Sequence, residues 1–477
     1  METFLIKALQ LLVALSLLIA LHEGGHFLFA KLFKTRVEKF YLFFDYKFAL
    51  FSTYANWFRR LRGKEPVPHR KDKDGNETAE YEYRGTEYGI GWIPLGGYVK
   101  ISGMIDESMD KEQMALPPQP WEFRTKPAWQ RLLIMLGGII MNFLTAFFIY
   151  AMVLFFWGEQ YVKSEDMSYG MKFSEAAKAD GFRDGDIIIK IDDEKVVSWK
   201  AAYLQDISNA KEVTVLRNGK EATVELPGNL NLLDMLQQEP RYAEILMPLQ
   251  VDSVLAGSPA ANIGLKKGDK ITALNGQPVA DFNDFKLQLT ILQDVLTEDS
   301  SLADSLKQRN VTMVINGKDT VQTTLTPEFT MGFVNAVPYM DKVTTKKYGL
   351  LESFPAGVKL GYSTMVSYVD QLKYLFTAKG ARSVSGFIGI GNIFPSVWDW
   401  QRFWLLTAFL SIALGVMNLL PIPALDGGHA VFAIYEIFTR RKPSEKFLER
   451  VQYIGMILLI GLMILAQAND ILRVLGF

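Results

Sequence analysis

Four apolar runs, each long enough to cross a lipid bilayer, set the outer limits on what this chain can become. A helix needs about 17–25 predominantly apolar residues to span the hydrocarbon core, and residues 4–33, 132–157, 403–420 and 451–468 meet that requirement. The first carries Lys7 near its start and continues through a His-Glu-Gly-Gly-His string, further than the short apolar core of a cleaved secretory signal. It is expected to stay as a span. Lys31, Lys34, Arg36 and Lys39 follow that run, and Arg124, Lys126 and Arg131 precede the second. Arg440, Arg441, Lys442, Lys446 and Arg450 lie between the third and fourth. Such residues accumulate on the cytoplasmic side, which predicts cytoplasmic placement for those two connections. Both termini and the region from about residue 158 to 400 then fall on the other side.

That long region contains a repeat. Gly181-Phe182-Arg183-Asp184-Gly185-Asp186-Ile187-Ile188 resembles Gly264-Leu265-Lys266-Lys267-Gly268-Asp269-Lys270-Ile271, an offset of 264 − 181 = 83 residues that continues to Val196 and Val279. The glycines suit positive-φ turns, and the alternation that follows suits a half-buried strand. A Gly-apolar-x-x-Gly-Asp turn leading into such a strand is the pattern of PDZ domains, which often bind peptides by adding them to a sheet edge. Small β-rich spacer domains are the plainer reading. After the repeats, residues 348–379 carry apolar side chains at mixed helical spacing without enough continuity to span, which predicts a surface or interfacial helix.

The chemistry is concentrated in two of the runs. Cysteine is absent, removing disulfides and thiolate sites, and only four histidines exist: His22, His26, His69 and His429. Lys plus Arg (51) balance Asp plus Glu (52), so no bulk charge points to nucleic acid. His22-Glu23-Gly24-Gly25-His26 matches H-E-x-x-H, whose imidazoles four residues apart share one helix face and can reach one metal ion. Glu23 is then positioned to hold a water and take its proton, while zinc lowers the pKa of that water to about 7. Ionisable groups inside a span cost roughly 2.5–3.5 kcal/mol each on insertion scales, so an intramembrane cluster points to function.

Catalytic zinc normally has three protein ligands and one open position. His69 lies in a charged loop. Asp426 is the better third candidate, in Asn418-Leu419-Leu420-Pro421-Ile422-Pro423-Ala424-Leu425-Asp426-Gly427-Gly428, and His429 is an alternative ligand or a supporting partner. The two prolines end the third span, which predicts an irregular segment at Asp426 lining a wet cavity. Asn418 and Asn142 are candidates for substrate contact, against the ordinary role of such residues in bonding one helix to another.

An intramembrane H-E-x-x-H, a later Asn-x-x-Pro-x-Pro-x-Leu-Asp-Gly and two PDZ-like repeats between them make the chain resemble the site-2 protease family over nearly its whole length. The resemblance implies one zinc per chain held by His22, His26 and Asp426, with Glu23 as general base and Asn418 on the substrate. It implies a bacterial inner-membrane endopeptidase cutting transmembrane segments of single-pass proteins that an upstream site-1 type protease has already trimmed. The PDZ pair would exclude untrimmed substrates, and remnant signal peptides are a second implied class. Gly24 departs from the bulkier apolar residue of many members, and the charged insert 59–87 has no assigned role.

Residues 88–101 place Pro94-Leu95-Gly96-Gly97 between two short apolar strand patterns, which reads as a hairpin. Its edge, with Gly96, Gly97 and Tyr98, is a candidate for holding an unwound substrate by strand addition. The predicted fold class is a polytopic α-helical membrane protein with four transmembrane helices, two inserted PDZ-like α+β domains and a membrane-associated β-hairpin. The expected division is helix 1 with H-E-x-x-H over 1–33, a cytoplasmic loop with the hairpin over 34–130, and helix 2 over 131–157. PDZ-like domains follow over 158–235 and 236–330, then a linker with an amphipathic helix over 331–402. Helix 3 with Asp426 covers 403–428, a cytoplasmic loop 429–450, and helix 4 with its tail 451–477. The expected partners are transmembrane substrates, the upstream protease and the bilayer. Two competing classes are a non-catalytic membrane scaffold, which has no use for Glu23, and a metal transporter, which would spread polar residues along several spans.

Overall fold

The computed structural model describes residues 2–53, 86–94, 96–104, 117–200, 202–295, 302–327, 329–377, 380 and 384–475. The chain forms two compact units, one of residues 1–158 with 347–475, the other essentially 159–346. Most of the charged insert, His69 and Leu95 lie outside the described residues.

The first unit is helical. α1 (Glu2–Leu32) and α2 (Ala128–Trp157) carry the first two apolar runs. α3 (Leu350–Leu372) follows the inserted unit, and α4 (Trp400–Leu419), α5 (Asp426–Thr439) and α6 (Glu445–Leu475) complete the chain. Four segments, Phe4–Leu32, Ala128–Trp157, Trp400–Leu419 and Lys446–Leu472, are long and apolar enough to cross a membrane. These are the four runs picked out by length and composition. α1 ends where Lys34 turns to φ 54° and the Thr35 amide donates back to the Ala30 carbonyl at 2.8 Å, a left-handed stop that satisfies otherwise orphaned carbonyls. α4 starts on Asp399, whose carboxylate accepts the Arg402 amide, and stops just before Pro421.

α3 differs from the surface helix expected of residues 348–379. It lies against α2, with Gly357 on the backbone of Ala151 and Gly361 on the ring of Phe147. Small residues four apart let two helices approach closely where lipid provides no hydrophobic drive. A neighbouring stripe, Leu351, Phe354, Val358, Tyr362, Val366 and Val369, is apolar and exposed.

A four-stranded sheet follows α1: β1 (Val37–Leu42), β2 (Phe51–Ser52), β3 (Glu87–Ile90) and β4 (Tyr98–Ile101). The order is β2-β3-β1-β4. This corrects the expected hairpin. The strands flanking Pro94 to Gly97 do not pair with each other, because β1 enters between them, parallel to β3 and antiparallel to β4. Among the described residues β4 is therefore an edge strand. Tyr46, Phe48, Leu50 and Trp92 are exposed at one end of the sheet, where Phe48 and Trp92 stack.

In the second unit the 83-residue repeat is a structural one. Strands Ile187–Ile191, Glu194–Lys195, Glu212–Arg217 and Lys220–Glu225 form one antiparallel sheet. Ile271–Leu274, Gln277–Pro278, Asn310–Ile315 and Asp319–Thr324 form another with the same connectivity. The Gly-Asp pair has the same task in each. Asp186 accepts the Arg183 amide and Asp269 accepts the Lys266 amide, both at 2.9 Å, while Gly185 and Gly268 supply positive φ. The repeats are also tied together. Lys172 is buried and meets Asp184 of its own repeat at 3.0 Å, and Asp281 and Asp284 of the other at 2.9 and 2.8 Å.

Candidate active site

Packing of α1, α2 and α5 brings together residues more than 400 positions apart in the chain. His22 and His26 occupy one face of α1, four residues and roughly one turn apart. Nε2 of His22 lies 3.2 Å from Nε2 of His26. Oδ2 of Asp426 is 3.2 Å from the first and 3.3 Å from the second. Among the described residues that oxygen is buried without a hydrogen bond. Two imidazole nitrogens and a carboxylate oxygen in a near-equilateral triangle converge on one point between them, as the ligands of a single cation do. Zinc bonds of about 2.0–2.1 Å in tetrahedral geometry separate neighbouring donors by about 3.3–3.4 Å. The triangle therefore fits zinc. Among the described residues, His22, His26 and Asp426 form a group able to hold a metal ion, and His429, one turn further along α5, is not part of it.

Asp426 is not on an irregular segment as expected. The irregular stretch is 420–425, and Asp426 is the first residue of α5. A carboxylate at a helix start faces unpaired backbone amides and the positive end of the helix dipole, so this position holds it charged and oriented. The sharp reversal places Ala424 at φ 77° and folds the helix start onto the proline turn. A Cβ on Gly428 would lie 2.5 Å from the Ile422 carbonyl oxygen, which explains the glycines after Asp426. The rest of α5, expected as loop, packs on α2 and is pinned by Arg131, whose guanidinium pairs with Glu436 at 2.5 Å in a mostly buried setting.

α2 supplies the support that the sequence did not reveal. The Ile134 carbonyl accepts from Nδ1 of His26 at 2.8 Å. Gly137 abuts Gly25, and a Cβ on Gly137 would sit 2.6 Å from the Gly25 carbonyl oxygen. Asn142, a candidate for either substrate contact or a bond between helices, places its carboxamide 3.1 Å from Nδ1 of His22. The paired glycines at 24–25 and 137–138, unusual in apolar helices, were the available signal for this close crossing.

Glu23 is half-buried beside the free sheet edge. Its carboxylate accepts the Val99 amide of β4, and a Cβ on Gly97 would lie 3.6 Å from its Cγ. Of the three β-edge candidates, Gly97 is thus the one placed against the site. Gly96 packs on the Phe44 ring. The Tyr98 hydroxyl donates to Asp45 at 2.9 Å and its ring stacks on Tyr41. Asn418 is half-buried in the last turn of α4, just before the proline turn.

The model of peptidase family M50 matches residues 75–462, well over half of the chain. Protease RseP of Yersinia pestis is 30% identical, covering 97% of both chains. Regulator of sigma E protease of Haemophilus influenzae is 27% identical, over 99% of this chain and all of its own. A Vibrio cholerae protein provisionally named a zinc metalloprotease is 28% identical over the same shares. The chain belongs to peptidase family M50 and is a zinc metalloprotease with four helices long and apolar enough to cross a membrane.

Proposed function

We propose that the protein is an intramembrane endopeptidase of the site-2 type, in which His22, His26 and Asp426 hold zinc and Glu23 is the general base. The observation that carries this is the donor triangle, with Glu23 on the adjoining residue and a free strand edge beside it. When bound, zinc makes water acidic and polarises a peptide carbonyl. The Glu23 carboxylate takes the proton from the attacking water and returns it to the leaving amine. A peptide bond in a helix is shielded by its own hydrogen bonds, and unwinding it exposes amides that lipid cannot satisfy. The backbone at Gly96, Gly97 and Tyr98, leading into β4, accepts that extended segment by strand addition. Asn418 supplies a carboxamide donor to the substrate carbonyl. The substrates are transmembrane segments of single-pass proteins trimmed beforehand by a separate protease, with remnant signal peptides a second class. The sequence of the two repeats and their Gly-Asp turns support PDZ-like domains that exclude untrimmed substrates. Basic residues on the connections between spans support a bacterial inner-membrane location, with the repeats and both termini periplasmic.

The test is Glu23→Gln. The variant is expected to keep zinc and its fold while losing at least about a thousandfold in cleavage of a transmembrane reporter. Cleavage at the wild-type rate overturns the assignment of Glu23.

A further inference from the structure

α2 contributes no atom to the donor triangle, yet one of its faces runs along both imidazoles. Ile134, Gly138 and Asn142 recur every four residues and so share that face. A neutral imidazole carries a single N–H, and the nitrogen bearing it cannot also ligate. For His26 the choice is fixed, because a backbone carbonyl only accepts. With the Ile134 oxygen 2.8 Å from Nδ1, the proton is on Nδ1, and Nε2 presents its lone pair towards Asp426.

For His22 the neighbour is a carboxamide, which can present either end. If the amide nitrogen of Asn142 donates to Nδ1, the His22 proton moves to Nε2 and the lone pair is lost to the metal. If Oδ1 faces Nδ1, His22 adopts the same tautomer as His26. Oδ1 of Asn142 is buried and has no hydrogen-bond partner among the described residues, and a half-turn about the terminal bond brings it onto Nδ1. Asn142 itself is fully buried, and its backbone carbonyl accepts the Ser411 hydroxyl at 2.7 Å, so the residue is held in place between α2 and α4. The side chain is therefore fixed in position and free only in which end it offers.

We propose that Asn142 is a positioning residue for the metal centre: its Oδ1 accepts the Nδ1 proton of His22 and so fixes the tautomer whose Nε2 ligates zinc. Histidine ligands commonly give their second N–H to a carbonyl or carboxylate, and loss of that partner costs 10–100-fold in metal affinity. The inference rests on His22 being a ligand.

The experiment measures zinc affinity of the full-length protein in detergent by competition with a chelator, alongside thermal unfolding. Asn142→Leu keeps the size but has no acceptor, and is expected to bind zinc about 10–100-fold more weakly. Asn142→Asp, a pure acceptor, is expected to bind as tightly as wild type or tighter. Ser411→Ala, which removes the helix-to-helix bond and leaves the carboxamide, is expected to keep wild-type affinity. Wild-type affinity in Asn142→Leu, or equal losses in the Leu and Asp variants, overturns the proposal in favour of simple packing. Since the chain has four histidines, a 15N spectrum of the zinc-loaded wild type gives a readout independent of any variant. Protonation of His22 at Nδ1 is expected, and protonation at Nε2 overturns the proposal. Zinc retained at full affinity by His22→Ala would instead sink the ligand assignment beneath it.

Discussion

Gly138 and His26 are in such close contact that a Cβ on Gly138 would lie 2.5 Å from Nε2 of His26, and equally close to Cε1 of His22. The space a methyl group would fill is the space in which the two imidazoles converge. Gly138→Ala must therefore turn the rings or move α2 away from α1. Zinc affinity is expected to fall at least about tenfold, with cleavage falling in parallel. Gly461→Ala on α6, where a Cβ meets nothing within 4 Å, serves as control. It should leave zinc unchanged and stabilise its helix by about 1 kcal/mol.

Arg131 and Glu436 fasten α5, and so Asp426, to α2. Glu436→Ala leaves a mostly buried guanidinium without its carboxylate and is expected to cost about 1–3 kcal/mol. Arg131→Lys does not restore the pair, since a point ammonium replaces a planar fork. A double-mutant cycle with Arg131→Ala, read by thermal unfolding, should return a coupling above about 0.5 kcal/mol; strict additivity counts against the fastening role.

The β4 edge is tied to Glu23 through the Val99 amide. Val99→Pro deletes that N–H, and proline is tolerated on an edge strand. Zinc content and melting temperature should stay near wild type while cleavage of a transmembrane reporter drops about tenfold or more. A drop in zinc content of the same size would mean that the strand supports the imidazole pair and not Glu23.

Lys172 makes the second unit sensitive to acid. Burial by itself raises the Asp184 carboxyl, but the Phe173 amide and the Lys172 and Lys178 ammonium groups outweigh it and leave Asp184 below its ordinary value. Its stabilising effect is complete above the ordinary carboxylate range near 3.8 and disappears as pH falls through the lowered value. Amide exchange at Met171–Phe173 should therefore accelerate below about pH 4. Lys172→Met removes the cation from three carboxylates, is expected to cost about 3–5 kcal/mol at neutral pH, and should gain stability, not lose it, on mild acidification.

The parts of the fold that rest on local patterns were legible. Apolar length gave the spans, and the Gly-Asp recurrence gave the repeat because the same backbone amide must be satisfied in each copy. Asp426 stood out because a carboxylate beside an apolar run has few other uses. What escaped was non-local. β1 enters the sheet between β3 and β4, pairing in parallel with a strand whose first residue is 50 positions after its own (Val37, Glu87), and nothing in residues 88–101 records that insertion. Two short strands around a Pro-Gly turn look like a hairpin whether or not a third divides them. The partner of His26 is the backbone of Ile134, which leaves no trace in residue type. Asn142 was visible as polar within a span, but its role depends on which residue it faces.

The inserted unit begins and ends on neighbouring strands. Glu159–Tyr161 pairs antiparallel with Thr344–Lys346, so Glu159 faces Lys346 across a two-stranded ribbon. A segment whose entry and exit are clamped side by side is a cassette. Some 180 residues can be exchanged, shortened or replaced by a brief turn without changing the distance the chain must cover between α2 and α3. The inserted unit can thereby vary while the helices that bring His22, His26 and Asp426 together stay as they are.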